Sequence, residues 1–138
     1  MPPKKIAIIG ATSTMAEHCA RLWLAQQPTA ELILVGRDLP RTQRVAADLQ
    51  VRSPQARIHA MQAAFSDPAA IDEVVTGICA SGPLDIALIA HGALPEQAQC
   101  QNDLQACREA LDINGISPVL YAEAFAKHMA QARHGTIT

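Results

Sequence analysis

Aromatic side chains are scarce in this sequence: one Trp, one Tyr and two Phe make up 3% of its 138 residues. Stacking platforms for single-stranded nucleic acid are therefore not available. A charge excess is missing too. Eleven Lys+Arg against 13 Asp+Glu give a formal net charge of -2 and a pI near 6.2, which leaves no electrostatic footprint for DNA, RNA or an anionic membrane. No apolar run approaches the roughly 20 residues that a membrane span needs. The Pro-Pro-Lys-Lys start has no signal-peptide apolar core behind it, because Gly10 and Thr12 to Thr14 interrupt at once. Cytoplasm is the expected location. The four cysteines, Cys19, Cys79, Cys100 and Cys107, form no Cys-x-x-Cys pair and have no histidine at zinc-finger spacing. No metal site is expected, and all four read as free thiols of a reducing compartment. Repeats, linkers and low-complexity tracts are absent.

What is present is an ordinary globular composition, 49% hydrophobic and 17% charged, of a length that suits one domain over residues 1–138. Short apolar runs alternate with helix-period segments. Ile6 to Ile9 reads as a buried strand, and Thr14 to Gln27 as a helix with Met15, Cys19, Leu22 and Trp23 at helical spacing. Leu32 to Val35 is a second strand, and Leu39 to Leu49 a helix with Pro40 near its start and Val45 and Leu49 on one face. A weaker third strand lies around Arg57 to Met61. Asp67 and Pro68 open a helix whose stripe is Ile71, Val74, Val75 and Ile78, and Ser81-Gly82-Pro83 stops it. Leu84 to Ala90 predicts a strand covered on both faces. Asn102 to Arg133 predicts a helix kinked between Asn114 and Pro118, and Gly135 to Thr138 the start of a fifth strand. Strands separated by helices of this length require right-handed crossovers. The expected fold is α/β: a Rossmann-like, doubly wound parallel sheet of about five strands.

Function enters at Gly10. A buried strand ends there, and Gly10-Ala11-Thr12-Ser13-Thr14-Met15-Ala16 leads directly into a helix. Unpaired N–H groups and the positive end of the helix dipole favour an anion at such a start. An ordinary strand-to-helix turn capped by Thr12 or Ser13 explains this loop equally well. The run resembles the short-chain dehydrogenase/reductase loop Thr-Gly-x-x-x-Gly-x-Gly, with Gly10 at the first glycine and Thr14 and Ala16 at the second and third. The resemblance spans essentially all 138 residues. It implies cofactor contacts from Gly10, Thr12, Ser13, Thr14 and Met15. After the second strand, Gly36 stands where an NAD-preferring member would carry a carboxylate, and Arg37 offers a planar fork for a 2′-phosphate. That implies NADP (as NADPH), with NAD disfavoured; the plainer reading of Arg37 is a solvated side chain paired with Asp38.

Ala64-Phe65-Ser66-Asp67 stands where the family often has Asp-x-x-Asp, so Ala64 replaces an adenine contact. Ile89-Ala90-His91-Gly92 replaces the family's Asn-Asn-Ala-Gly, and implies that Ala90, His91 and Gly92 border the cofactor, with His91 touching the nicotinamide-side ribose or merely occupying a turn. Asp112-Ile113-Asn114-Gly115 matches the family's helix asparagine; the resemblance gives Asn114 a catalytic part, its main chain supporting a lysine through water. The family's chemistry also needs a serine after the fifth strand and a Tyr-x-x-x-Lys pair. Here Tyr121 is followed four residues later by Phe125, and the only lysines are Lys4, Lys5 and Lys127. The expectation is thus the amino-terminal, cofactor-binding part of an oxidoreductase acting on a small carbonyl or alcohol substrate, truncated before its catalytic serine, tyrosine and lysine and inactive alone. A non-catalytic dinucleotide-binding or regulatory module remains the alternative. Homo-oligomers are expected, through an uncovered edge along Leu84 to Ala90 or through Ile116, Val119, Leu120, Ala124, Phe125 and Met129.

Overall fold

Alternation along β1 (Lys5–Ile9) divides the core in two. Ala7 and Ile9 join one apolar cluster, and Ile6 and Ile8 the other, because successive strand residues point to opposite faces. The computed structural model describes residues 2–138, with Met1 outside the described residues. It comprises β1, α1 (Thr14–Gln26), β2 (Glu31–Gly36), α2 (Leu39–Arg52), β3 (Arg57–Gln62), α3 (Pro68–Ala80), β4 (Ile86–Ile89), α4 (Gln97–Asn102), α5 (Leu104–Leu111), a π-helical turn (Asp112–Ile116), α6 (Ser117–Ala132) and β5 (Thr136–Ile137). The sheet is parallel in the order β3-β2-β1-β4-β5. Helices α3 and α6 cover one face, and α1 and α2 the other. The expected Rossmann-like α/β architecture is therefore present.

Side-chain caps fix where the helices begin. Asp38, Asp67 and Asp103 accept from the N–H groups of Arg41, Ala69 and Gln105, each contributing about 1 kcal/mol. Lys5 is 7% exposed, yet its ammonium is satisfied by the carbonyls of Ile78 and Gly82 and the hydroxyl of Ser81 at the end of α3, where the helix dipole favours a cation.

Four expectations need correction. In α1 the buried positions are Ala16, Ala20 and Leu24, whereas Met15 and Leu22 are 75% and 64% exposed. Small residues win because the helix lies close on the sheet. The segment expected as one kinked helix from Asn102 is instead α4, α5, a π-helical turn and α6, broken at Asp103. Pro118 has no N–H to give the carbonyl of Asn114 four residues earlier, so the ladder widens there and the Ser117 N–H reaches Asp112. β4 is shorter than expected, and Ile86, Leu88 and Ile89 are only half-buried. It is also not an open edge: β5 pairs with it at Ile86–Thr136 and Ala87–Ile137. Finally, Ala124, Phe125 and Met129 belong to the core, and only Ile116 and Val119 of the expected patch are exposed, at 52% and 59%. Among the described residues, no helix is long and apolar enough to cross a membrane.

Candidate functional site

The carboxyl ends of β1, β2 and β4 converge beside the start of α1, and a cleft of about 300 Å³ opens there. Gly10, Thr12, Ser13, Gly36, Arg37, Asp38, Arg41, Phe65, Ala90, His91 and Gly92 line it. The crevice lies between neighbouring strands whose crossovers run in opposite directions, where open α/β sheets bind ligands.

Gly10 is required twice over. Its φ of 81° lies in the left-handed region, and a Cβ there would sit 2.5 Å from the backbone nitrogen of His91. The turn after β1 and the turn after β4 thus touch through backbone alone. Ser13 is the N-cap of α1 but makes no side-chain cap bond, unlike the three aspartate caps. The first-turn N–H groups of α1 are left for a ligand, the arrangement that suits a pyrophosphate. Thr12 and Ser13 line the cleft, while Thr14 and Met15 do not and are exposed beside it.

At the end of β2, Gly36 is dictated by packing. A Cβ there would collide with Oγ1 of Thr42, a fully buried residue of α2 whose hydroxyl donates to the Asp38 carbonyl at 2.9 Å. Arg37 does not pair with Asp38; the Asp38 carboxylate is committed to capping α2. Among the described residues Arg37 has no ion pair, and its guanidinium carbon lies 5.3 Å from the centre of the Phe65 ring. Arg41, from the first turn of α2, enters the same cleft. Sequence reading missed Arg41, Thr42 and Phe65. The signals were a basic residue in a first helical turn, against the dipole, and one of only two Phe residues directly after β3.

His91 lines the cleft, and its ring is held on the inner side. Nε2 is 2.8 Å from the hydroxyl of Ser117, and the ring packs 4.4 Å from Phe65 and 5.6 Å from Tyr121. Nδ1 is buried without a protein partner. Burial, and then the charge of Arg37, lower its pKa to about 4, so the imidazole is neutral at physiological pH. Asn114 clamps the adjacent turn: its Oδ1 accepts from the Ala93 N–H and its Nδ2 donates to the Ala93 carbonyl, both at 2.8 Å. Ala90 and Gly92 complete this wall. Tyr121 is fully buried, donates to the Ala64 carbonyl at 3.2 Å, and is pushed up to about 12 by burial. It is no acid for this cleft. No group of three His, Cys, Asp or Glu side chains that could hold a metal occurs among the described residues.

A sheet order of 3-2-1-4-5 with a glycine turn facing a helix start defines a Rossmann-like dinucleotide-binding fold. The family model for short chain dehydrogenases matches residues 4–138, and the chain belongs to that family. Among solved structures it is similar to a short-chain type dehydrogenase/reductase from Mycobacterium ulcerans, with a TM-score of 0.84, 17% identity, and 97% of this chain and 49% of that one covered. The bulky-bulky ketone specific alcohol dehydrogenase from Comamonas testosteroni matches with a TM-score of 0.79 and 26% identity, over 99% of this chain and 54% of that one. A metagenomic short-chain oxidoreductase solved in complex with NADP matches with a TM-score of 0.77 and 21% identity, over 98% and 61%. The chain therefore spans about half the length of the first two solved structures. No curated protein matches it.

Proposed function

We propose that the chain is the cofactor-binding part of an NADP(H)-dependent oxidoreductase that interconverts a carbonyl and an alcohol. The observation that carries this reading is Arg37, an exposed guanidinium with no ion pair among the described residues, at the end of β2 and in the same cleft as Gly10 and Arg41. The nicotinamide cofactor, when bound, supplies or accepts the hydride. The chain's own residues bind and orient it. Gly10 and the first turn of α1, with Thr12 and Ser13, receive the pyrophosphate. Arg37 and Arg41 take the 2′-phosphate through charge-assisted hydrogen bonds, and Gly36 offers no carboxylate to repel it. Ala90, His91 and Gly92 form the opposite wall, and Asn114 positions that wall through Ala93. A fold relative solved with NADP is consistent with this assignment.

No residue of this chain is assigned proton transfer to the carbonyl oxygen, since Tyr121 is buried and no Tyr-x-x-x-Lys pair is present. The chain alone thus binds cofactor without turning over a carbonyl substrate. Self-association in the cytoplasm is part of the same proposal, with the exposed Ile116 and Val119 on or beside α6 as contact residues. Titration of the chain with NADPH and NADH tests the central point. A charge-assisted contact of roughly 1.5–3 kcal/mol implies about a ten- to hundredfold preference for NADPH, weakened in Arg37→Ala, where Arg41 alone remains to meet the 2′-phosphate. Equal affinity of the unmutated chain for both cofactors refutes it.

A further inference from the structure

The Arg37 guanidinium is not left free. It lies over Phe65, a ring only 5% exposed, and Phe65 is itself fixed from behind. Its ring is 4.4 Å from His91, tilted by 42°, and meets Tyr121 edge-on at 6.1 Å and 87°. Tyr121 in turn stacks on Phe125 at 6.4 Å. The chain has one Tyr and two Phe, and all of them stand in this one row, running from the interior of α6 to the wall of the cleft. The Tyr121–Ala64 hydrogen bond anchors the outer end of the Tyr121 ring, and the His91–Ser117 hydrogen bond holds the imidazole in rotation. A scaffold this constrained, in so aromatic-poor a chain, ends under one exposed cation.

The chemistry of that contact matters. An exposed arginine samples many rotamers, and ordering it on binding an anion costs entropy. A carboxylate partner would order it but compete with the incoming phosphate. A ring face orients the guanidinium while leaving its charge and its N–H fork uncommitted.

We infer that Phe65 is a positioning residue that sets the discrimination for a nucleotide 2′-phosphate, by holding the Arg37 guanidinium over its ring. The inference rests on the reading of Arg37 given above and deepens it. Calorimetric titration with 2′,5′-ADP and with 5′-ADP tests it on four forms of the chain: unmutated, Phe65→Leu, Arg37→Ala and the double variant. Phe65→Leu keeps an apolar side chain in the core but removes the ring face. Its affinity for 2′,5′-ADP falls about three- to tenfold further than its affinity for 5′-ADP, the range of a partly exposed cation–π contact. In the Arg37→Ala background the same substitution affects the two ligands equally. An unmutated chain that does not discriminate, or an Arg37→Ala variant that discriminates as strongly as the unmutated chain, overturns the Arg37 assignment itself. If both behave as stated, the role of Phe65 is overturned by a Phe65→Leu variant that weakens both ligands equally, changes neither, or keeps its full effect without Arg37. Thermal melting identifies a Phe65→Leu variant that fails to fold. In that event the upfield ring-current shift of the Arg37 side-chain protons, read by NMR in the unmutated chain, decides the matter: its presence supports a guanidinium held over the ring and its absence overturns it.

Discussion

Replacing Gly36 by alanine separates two explanations for that glycine. Nothing in its backbone forbids a side chain, since its φ is not in the left-handed region, so an alanine would also gain about 0.5–1 kcal/mol from a stiffer unfolded chain. The obstacle is Thr42. The added Cβ would overlap Oγ1 and come within 3.6 Å of Cβ and 3.9 Å of Cγ2 of that fully buried side chain. Rotating Thr42 away breaks the 2.9 Å hydrogen bond to the Asp38 carbonyl, about 1 kcal/mol; leaving it in place forces strand and helix apart, at about 1–3 kcal/mol. With the gain subtracted, Gly36→Ala destabilises the chain by roughly 1–2 kcal/mol. Thr42→Ala removes the hydroxyl without orphaning the carbonyl, which still accepts from the Thr42 N–H at 3.0 Å, and costs about 1–1.5 kcal/mol. In the double variant the overlap is gone and the gain from the stiffer unfolded chain remains, so it should be more stable than Thr42→Ala alone by about 0.5–1 kcal/mol. Urea denaturation of the four proteins gives a coupling free energy of about 1.5–3 kcal/mol. Additivity within about 0.5 kcal/mol would refute the packing argument and return Gly36 to an explanation based on cofactor charge alone.

Three further outcomes follow from the same geometry. Gly10→Ala combines a disfavoured positive φ with a Cβ driven into the His91 backbone; a loss of about 3 kcal/mol or more is expected, read as a lowered melting temperature with loss of nucleotide binding. Asn114→Ala removes both hydrogen bonds to Ala93, about 1–2 kcal/mol together, and hydrogen exchange should accelerate in the turn around Ala93 while β1 and β2 stay protected. His91 has a folded pKa of about 4 against an ordinary 6.5, with burial as the larger cause. The unfolded chain therefore binds more protons between those values, so this contribution is complete above pH 6.5 and is lost as pH falls towards 4. After discounting for the partial exposure of the ring, the loss is on the order of 1–2 kcal/mol. His91→Gln should flatten that part of the stability–pH curve; an identical acid dependence in the two proteins would contradict the buried, neutral imidazole.

The sequence by itself determined the architecture. Branched runs of strand length, alternating with helix-period segments, allow only a parallel sheet with helices on both faces, and the local signals at Asp67-Pro68 and at Gly10 placed their turns correctly because caps and tight turns depend on neighbours a few residues away. The sequence also located the cleft, since Gly10, Gly36, Arg37 and the turn after β4 all stand at strand ends that a parallel sheet must bring together. Contacts between distant elements were another matter. That Gly36 answers to Thr42, that His91 turns inward to Ser117 and Phe65, and that Arg37 lies on Phe65 rather than beside Asp38 all depend on how α2, β3 and α6 pack against the sheet. Periodicity put Met15, Cys19, Leu22 and Trp23 at helical spacing, but the close approach of α1 to the sheet buries Ala16 and Ala20 and leaves Met15 exposed. Spacing along the chain encodes local geometry. The distance between two side chains far apart in sequence is set by the volumes of everything packed between them, and only the folded chain resolves that sum.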